Sequence, residues 1–412
     1  MRDHSSGLAR EQIRAVNTRA ILDAIHQEGQ ISRTDLAVHV GLSQAAVTDI
    51  TASLVRSGLV FEAREGISGA VGRKPILLQI DYDSASVLGV KVTNSFVTSV
   101  LTNLRTDVLA THDEPLPDHQ PETVLRAITL SVERLRASPG AQAPLAGAAV
   151  TLPGIVDPKS GTHVYSALLG WQDLPLSDLI EARIGVPVFV DNDVNALAAA
   201  EASFGQGRDH GSFLVVTLGR GVGLGIVLDG DVYRGPRGGA GEFGHVCIDP
   251  QGPECSCGNR GCLESYLADD ALLEAARAAG LSPADPADLV RMADRGEEAA
   301  TVLFTSAGQK LGLGLSQLVN IFAPTLIILG GEGMRAADHI MPAASKAIAR
   351  HAFGNLADDL RLGVETWGDD AWARGAAGLA AYRYLQEVAW QLEDHGTDAA
   401  VPQPGEVRIR RR

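Results

Sequence analysis

The first eighty residues carry apolar positions at helical spacing, separated by short polar turns. A helix is predicted over residues 10–27, because its apolar residues lie on one side: Ile13, Val16, Ile21, Leu22 and Ile25. Ser32 and Asp35 have the spacing of a capping box and open a second helix. A turn at Gly41 then leads to a third helix, which Ser43 caps. Two short helices joined by a glycine-containing turn predict a helix-turn-helix.

The third helix and the segment after it have the features of a DNA-binding surface. The start of the helix carries small and polar side chains suited to base edges in a major groove: Ser43, Gln44, Ala45 and Thr48. Two predicted strands, LVFEAREG and RKPILLQID, enclose a glycine-rich loop and form a wing whose tip holds Arg73 and Lys74. Two cations on an extended backbone before a proline suit a narrow minor groove. The sequence predicts a DNA-binding winged helix-turn-helix over residues 1–82, and a plain three-helix interaction module is the alternative.

From Ser86 onward the pattern changes to alternating strands and helices. Strands are predicted at SVLGVKV, FVTSVLTNL, DVLATHDE and AGAAVTL, a helix near 121–137, and a buried strand within TLIILGG. Such alternation predicts an α/β body. We place this body at 83–395, with a polar and basic tail at 396–412 that is expected to be disordered. Little linker separates the body from the winged helix, so we expect the two parts to be coupled.

Two segments of the body are candidates for ligand binding. The alternate glycines of LGRGVGLG (218–225) lie between two strands, which excludes a dinucleotide-binding turn. Close approach of the backbone to a phosphate and a tightly packed hairpin both remain possible explanations. In VFVDNDVNALAAAEASFG, a buried strand ends and a helix begins at Asn192 and Asp193. Asp193 has an ordinary explanation as a helix cap, yet the two residues also offer a donor and several acceptors to a hydroxyl-rich ligand.

All four cysteines lie in GEFGHVCIDPQGPECSCGNRGCLE, residues 241–264. Within it, the segment 245–262 contains four soft or borderline metal ligands: His245, Cys255, Cys257 and Cys262. Such a set suits a closed, tetrahedral zinc site. Four protein ligands leave no open coordination position, so this Zn²⁺ would be structural. A disulfide is the weaker alternative, and Cys247 is expected to be a small buried apolar residue.

Composition restricts the class of protein and its partners. The 412 residues are 45% hydrophobic and 21% charged, as in ordinary soluble globular proteins. No membrane span or signal peptide is evident, so no membrane partner and a cytoplasmic location are expected. The net charge is −15, but residues 1–80 carry nine Lys/Arg against eight Asp/Glu. The N-terminal part is therefore the one sizeable part of the chain whose net charge would not oppose binding to nucleic acid.

The body resembles the ROK family (repressors, open reading frames and sugar kinases) in PGIVD, LGW, DNDVNA, GAGEFGH, CSCGNRGCLE and the alternate-glycine turn. The fused winged helix with its GRKP wing tip is similar to that of ROK transcriptional regulators. This resemblance implies an actin/hexokinase-like, two-lobed α/β body preceded by an α+β winged helix-turn-helix domain. It also implies the four zinc ligands named above. The sugar-binding set that it implies is Asn192, Asp193, Glu242, His245 and Glu264.

The chain departs from the pattern of the kinase members. Their position of Asp193 is the base that takes a proton from the attacking sugar hydroxyl. Their first strand carries Asp-x-Gly-Gly-Thr for ATP phosphate and metal, whereas this chain has Lys91, Thr93 and Asn94 there. The second phosphate loop reads Gly-Arg-Gly at 219–221 instead of Gly-Thr-Gly. We expect ATP binding and phosphoryl transfer to be lost, with Asp193 a vestigial base and the sugar pocket kept.

The sequence therefore predicts a sugar-responsive DNA-binding regulator, a repressor of carbohydrate uptake or catabolism genes. It would bind operator DNA as a homodimer or homotetramer, and a sugar or sugar derivative between its lobes would change the spacing of the winged helices. Leu168 stands where the family has an asparagine that binds sugar, which bears on the choice of effector. One alternative is an active ATP-dependent sugar kinase fused to a DNA-binding domain. Another is a regulator that responds to a partner protein.

Overall fold

The structure is a computed structural model that describes residues 4–63, 75–93, 95–166, 168–365 and 369–394. Four sequence-based expectations, those for Arg73, Lys74, Asn94 and the tail at 396–412, lie outside the described residues. No helix within the described ranges is long and apolar enough to cross a membrane.

The N-terminal part is a winged helix-turn-helix. Its elements are α1 (His4–Glu28), β1 (Ile31–Ser32), α2 (Arg33–Val40), α3 (Gln44–Arg56), β2 (Val60–Ala63) and β3 (Leu77–Ile80). The strands pair antiparallel in the order β1-β3-β2. Ser32 and Ser43 cap α2 and α3 as predicted, each accepting a hydrogen bond from an amide three residues ahead. Gly41 makes the turn between these helices with φ 66°, a left-handed conformation that favours glycine.

Among the described side chains of helix α1, the larger apolar ones that are buried lie toward its C-terminal end. Ile21, Leu22 and Ile25 are buried among the residues of α2 and α3. Ile13 and Val16 are 60% and 64% exposed, so the expectation of one continuous apolar side was wrong for the first half. The reason is length: α1 has 25 residues, whereas α2 and α3 have 8 and 13, so they cannot cover it.

The first lobe of the body is a five-stranded mixed sheet with helices and a small second sheet. Its elements are β4 (Ser86–Val92), β5 (Phe96–Asn103), β6 (Val108–Pro115), α4 (Pro121–Arg136), β7 (Leu145–Leu152), β8 (Ile155–Asp157), β9 (Thr162–Ser166), β10 (Trp171–Leu174), α5 (Leu176–Ile184) and β11 (Val188–Asn192). The main sheet has the order β11-β7-β4-β5-β6, and β10-β9-β8 form the small sheet. The predicted strands and the predicted helix near 121–137 are confirmed.

The second lobe repeats the plan of a mixed five-stranded sheet. Its elements are α6 (Asp193–Phe204), β12 (Phe213–Leu218), β13 (Val222–Leu228), β14 (Asp231–Val232), α7 (Glu264–Leu267), α8 (Asp269–Ala278), α9 (Pro286–Asp294), α10 (Glu298–Phe322), β15 (Leu326–Gly330), α11 (Ala337–His351) and β16 (Arg361–Val364). The sheet order is β14-β13-β12-β15-β16. The buried strand expected in TLIILGG is β15, and it pairs parallel with β12 and β16.

The last helix, α12 (Asp369–Asp394), returns from the second lobe to the first and to the winged helix. It packs so closely on β4 that a Cβ at Gly89 would lie 1.8 Å from the carbonyl oxygen of Ala373. Further along, the phenol of Tyr382 accepts a hydrogen bond from Arg19 of α1. Helix α12 therefore contacts the central strand of the first lobe and the winged helix at once.

Candidate functional site

A cleft of about 1330 Å³ lies between the two lobes. It opens at the carboxyl ends of strands such as β4, β11 and β12, which is where open α/β sheets usually bind ligands. Every residue of the predicted sugar-binding set borders it: Asn192, Asp193, Glu242, His245 and Glu264. Lys91, Thr93 and Leu168 also border the cleft. The structure thus brings together side chains from positions 91 to 264.

Asn192 and Asp193 lie at the junction of β11 and α6. The side-chain oxygen of Asn192 accepts hydrogen bonds from the amides of Val194 at 2.8 Å and Asn195 at 3.4 Å. The side-chain nitrogen of Asn192, Nδ2, donates to the carbonyl of Gly154 at 3.1 Å. Asn192 is therefore the N-cap of α6, whereas the sequence had favoured Asp193 as the capping residue. Asp193 occupies the first turn instead and accepts from the amide of Val194 at 3.0 Å.

A buried ion pair beside this junction was not foreseen from the sequence. Asp191 is 4% exposed, and its Oδ2 accepts from Nε of Arg234 at 2.7 Å and lies 2.6 Å from Nη2. Its other oxygen accepts from the side chain of Asn195 at 3.1 Å. Arg234 follows β14 in the second lobe, 43 residues away, so no local pattern connects the two residues. The pair joins the second lobe to strand β11, which ends at Asn192, directly before Asp193.

Lys91 enters the cleft from β4 and lies over an aromatic ring. Its side chain is 8% exposed, and Nζ is 4.0 Å from the centre of the Trp372 ring on α12. Burial raises the pKa of Asp193, and the positive charge of Lys91 opposes that rise. Lys91 and Asp193 therefore interact electrostatically across the same part of the cleft.

Glu242 and Glu264 form an acidic wall of the cleft. Burial raises the pKa of Glu242; nearby His245 opposes this rise, and the carboxylates of Glu264 and Asp193 add to it. Oε2 of Glu264 accepts a hydrogen bond from the amide of Val222 at 3.1 Å, at the start of β13. Glu264 thereby ties the segment after the cysteines to the glycine-rich hairpin.

The glycines of that hairpin have packing roles. The turn itself is 219–221, and a Cβ at Gly221 would lie 2.9 Å from Oε2 of Glu264. Gly223 and Gly225 are already in β13, where Cβ atoms would lie 2.5 Å from Val194 and 2.6 Å from Ala198 of α6. The tightly packed hairpin therefore accounts for these two glycines, which let α6 approach the sheet.

Four side chains of the loop after Glu242 form a candidate metal centre. The ligand atoms of His245, Cys255, Cys257 and Cys262 all lie within 4.8 Å of one another. Cys255 Sγ is 3.6 Å from Nδ1 of His245, and the sulfurs of Cys257 and Cys262 are 3.7 Å apart. Tetrahedral zinc–sulfur geometry gives sulfur–sulfur distances of about 3.8 Å, whereas a disulfide bond is about 2.05 Å. The arrangement fits a metal ion, and because Nδ1 faces the sulfurs, Nε2 of His245 is left for another partner.

Cys247 does not have the buried position expected of it. It is exposed, and its thiol donates to the carbonyl of Arg260 at 3.4 Å. The residues before it, Phe243–His245, form a short 3₁₀ turn and not a strand, so no alternation of side chains directs Cys247 into the core.

The predicted DNA-reading residues lie on one exposed part of the winged helix. Ser43, Gln44, Ala45 and Thr48 are all exposed at the start of α3. The hydroxyl of Ser43 accepts from the amide of Ala46, and that of Thr48 donates to the carbonyl of Gln44 at 2.7 Å. The side chains of Gln44 and Ala45 therefore lie on a surface that no other described part of the chain covers.

Family models match both parts of the chain. The model of the ROK family matches residues 87–383, and a model of winged helix-turn-helix DNA-binding domains matches residues 15–60. Among solved structures, a ROK family transcriptional regulator described as a homologue of the E. coli MLC protein has a TM-score of 0.83 at 29% identity, over 92% of this chain and 98% of that one. A ROK family glucokinase from Streptomyces griseus has a TM-score of 0.63 at 27% identity, over 72% and 99%. The predicted architecture, a hexokinase-like, two-lobed body preceded in the chain by a winged helix, is thus confirmed.

Characterised relatives match along nearly their full length. The xylose repressor of Bacillus spizizenii is 29% identical over 382 residues, which cover 91% of this chain and 97% of that protein. The DNA-binding transcriptional dual regulator NagC of Escherichia coli is 31% identical over 389 residues, or 92% and 95%. With the ROK model spanning most of the body and NagC related over both parts, the chain belongs to the ROK family.

Proposed function

We propose that this protein is a sugar-responsive transcriptional regulator that binds operator DNA and represses genes of carbohydrate uptake or catabolism. One observation carries the proposal: a winged helix and a two-lobed cleft with a polar ligand set occur in one chain and are joined by α12. The xylose repressor of Bacillus spizizenii and the dual regulator NagC match this chain over both parts. Residues 1–82 would be the DNA-binding domain and 83–395 the sugar-binding domain.

The DNA-binding surface would consist of the start of α3 and the wing tip. Ser43, Gln44, Ala45 and Thr48 would contact base edges, and Arg73 and Lys74 the minor groove or backbone. The support is the exposure of the four α3 residues and the caps that fix the helix. A dimer or tetramer would present these surfaces to a palindromic operator.

The sugar would bind in the cleft, on Asn192, Asp193, Glu242, His245 and Glu264. Three carboxylates supply acceptors for hydroxyl groups, and the Nε2 proton of His245 supplies a donor. All five residues border one cleft, which supports their assignment. Leu168, 46% exposed beside them, would make an apolar contact where family members have an amide.

The metal centre would hold Zn²⁺ on His245, Cys255, Cys257 and Cys262. Bound there, the ion would crosslink the loop, and the four ligands would leave no position for a substrate. His245 would belong to both sites, with Nδ1 toward the metal and Nε2 toward the sugar. The loop ends at Glu264, so the crosslink would also fix this sugar ligand.

We infer that the protein does not phosphorylate the sugar. The cleft has the cation of Lys91 where the kinase pattern has a metal-positioning aspartate, and a lysine there would repel Mg²⁺. Incubation with Mg-ATP and a panel of hexoses tests this inference. We expect no sugar-dependent ADP. ADP formation that is abolished in Asp193→Asn would instead establish the glucokinase-like alternative.

Sugar and DNA binding would be coupled through closure of the two lobes and movement of α12. Helix α12 touches the cleft through Trp372 and α1 through Tyr382. For regulation, the sugar must bind two states of the protein with different affinities.

The test is a footprint on DNA upstream of the protein's own gene, repeated with glucose, xylose, N-acetylglucosamine and their phosphates. We expect a protected palindrome whose protection one of these compounds changes. Protection that no compound alters, together with no calorimetric binding at millimolar concentration, would favour control by a partner protein.

A further inference from the structure

Lys91 is a cation in a costly position. It lies on β4, the middle strand of the five-stranded sheet of the first lobe, and its side chain is largely removed from water and borders the cleft. Burying a charged group costs free energy unless an opposite charge, a hydrogen-bonding partner or an aromatic face compensates. A lysine at such a place can fill a role that a methionine of similar length would not fulfil.

Two neighbours contribute to holding the charge. The ring of Trp372, 4.0 Å from Nζ, supplies a cation–π contact that fixes the end of the flexible side chain. Asp193 supplies the nearby negative charge. Asp191, two residues before Asp193, is paired with Arg234. Lys91 and Asp193 thus place a donor and an acceptor on the wall of the same cleft.

We propose that Lys91 binds the effector directly. Its Nζ would donate a hydrogen bond to a sugar oxygen that also lies next to the Asp193 carboxylate. This inference rests on the proposed function, because it assumes that the cleft binds a sugar. A hydroxyl group both donates and accepts, so an acceptor carboxylate and a donor ammonium together satisfy it. If that oxygen carried a phosphate, the same ammonium would form a charge-assisted bond to it.

Calorimetric titration of the full chain tests the proposal. The ligands are D-glucose, D-xylose, N-acetylglucosamine, glucose 6-phosphate and N-acetylglucosamine 6-phosphate. For whichever compound wild type binds, we expect Lys91→Met to weaken binding about 10- to 100-fold, as for loss of a hydrogen bond to a charged group. Lys91→Arg, which keeps a cationic donor, should recover part of the affinity.

A second lysine of the cleft provides a matched control. Lys310 also borders the cleft and also lies over an aromatic ring, 4.6 Å from that of Tyr266, but it is paired with Asp249 at 3.8 Å. Lys310→Met should bind the effector as wild type does. Thermal melting of each variant separates a loss of ligand contact from a loss of fold, and Lys91→Gln serves if Lys91→Met unfolds.

The outcomes separate the inference from the function on which it rests. Binding by wild type and by Lys91→Met with equal affinity would overturn the inference and leave the proposed function standing. Failure of wild type to bind any compound would overturn both. A loss in Lys91→Met that is larger for a 6-phosphate and fades at high salt would identify a phosphate as the group bound, whereas a salt-independent loss would identify a hydroxyl.

Discussion

Arg234 directs two nitrogens of its guanidinium at one buried oxygen of Asp191, at 2.7 and 2.6 Å, and so fastens the second lobe to strand β11. The next two residues of that strand and helix are Asn192 and Asp193. The position of Asn192 and Asp193 is therefore supported by an ion pair whose two residues do not border the cleft.

Removal of one partner of this pair should be costly. Arg234→Met would leave the Asp191 carboxylate buried without its cation, which typically costs about 3–5 kcal/mol of stability. Urea denaturation measures the loss, and sugar affinity should fall with it. Arg295→Met is the control, because its pair with Glu297 is exposed and should contribute less than about 1 kcal/mol. Equal losses in both variants would argue against a special role for Arg234.

The contact between Arg19 and Tyr382 should carry the response to sugar. The guanidinium of Arg19 lies 5.4 Å from the centre of the Tyr382 ring, donates to its phenol, and is 3.9 Å from Asp231 of the second lobe. Arg19→Ala should leave sugar affinity unchanged and reduce the effect of sugar on operator affinity several-fold. Fluorescence anisotropy with labelled operator, with and without sugar, measures that ratio. A full response to sugar in Arg19→Ala would show that the signal takes another route.

How much of this architecture the sequence predicts depends on the range of the interactions. Helix caps at Ser32 and Ser43 and the metal ligands of one short loop follow from local spacing, and the structure has the caps and the ligand cluster as expected. The contact of Lys91 with Trp372 and that of Asp191 with Arg234 join distant segments, for which a single sequence carries no signal. Exposure of Ile13 was missed for a related reason, since periodicity shows an apolar side but not whether another element covers it.

Loss of the metal centre should also remove sugar binding. Cys257→Ser takes away one of four ligands, and because His245 would serve both sites, zinc content and sugar affinity should fall together. Colorimetric zinc release and calorimetry measure the two quantities. Cys247→Ser is a matched control from the same loop, since Cys247 is exposed and lies outside the ligand cluster. A zinc-free Cys257→Ser protein with normal sugar affinity would refute the coupling.

Helix α6, which begins at the proposed sugar site, ends near a buried carboxyl group that should make stability depend on pH. Glu201 is 1% exposed, and its Oε2 accepts from the amide of Gln206. Its Oε1 has no hydrogen-bond partner among the described residues. Burial, with a smaller effect of the Glu365 carboxylate, raises the pKa of Glu201 from 4.5 to about 7.

The direction of the pH effect follows from that raised pKa. Between pH 4.5 and about 7 the folded protein keeps a proton on Glu201 that the unfolded chain has lost. The free energy of unfolding contributed by this group is therefore fully present below pH 4.5 and is lost as the pH rises through about 7.

Glu201→Gln keeps an oxygen for the Gln206 amide and cannot ionise. We expect it to be more stable than wild type at pH 8 and close to wild type at pH 5, by urea denaturation at both values. Glu133→Gln, on the exposed side of α4, controls for the loss of one charge. The prediction would be contradicted if the free energies of unfolding of wild type and Glu201→Gln changed equally between pH 5 and pH 8.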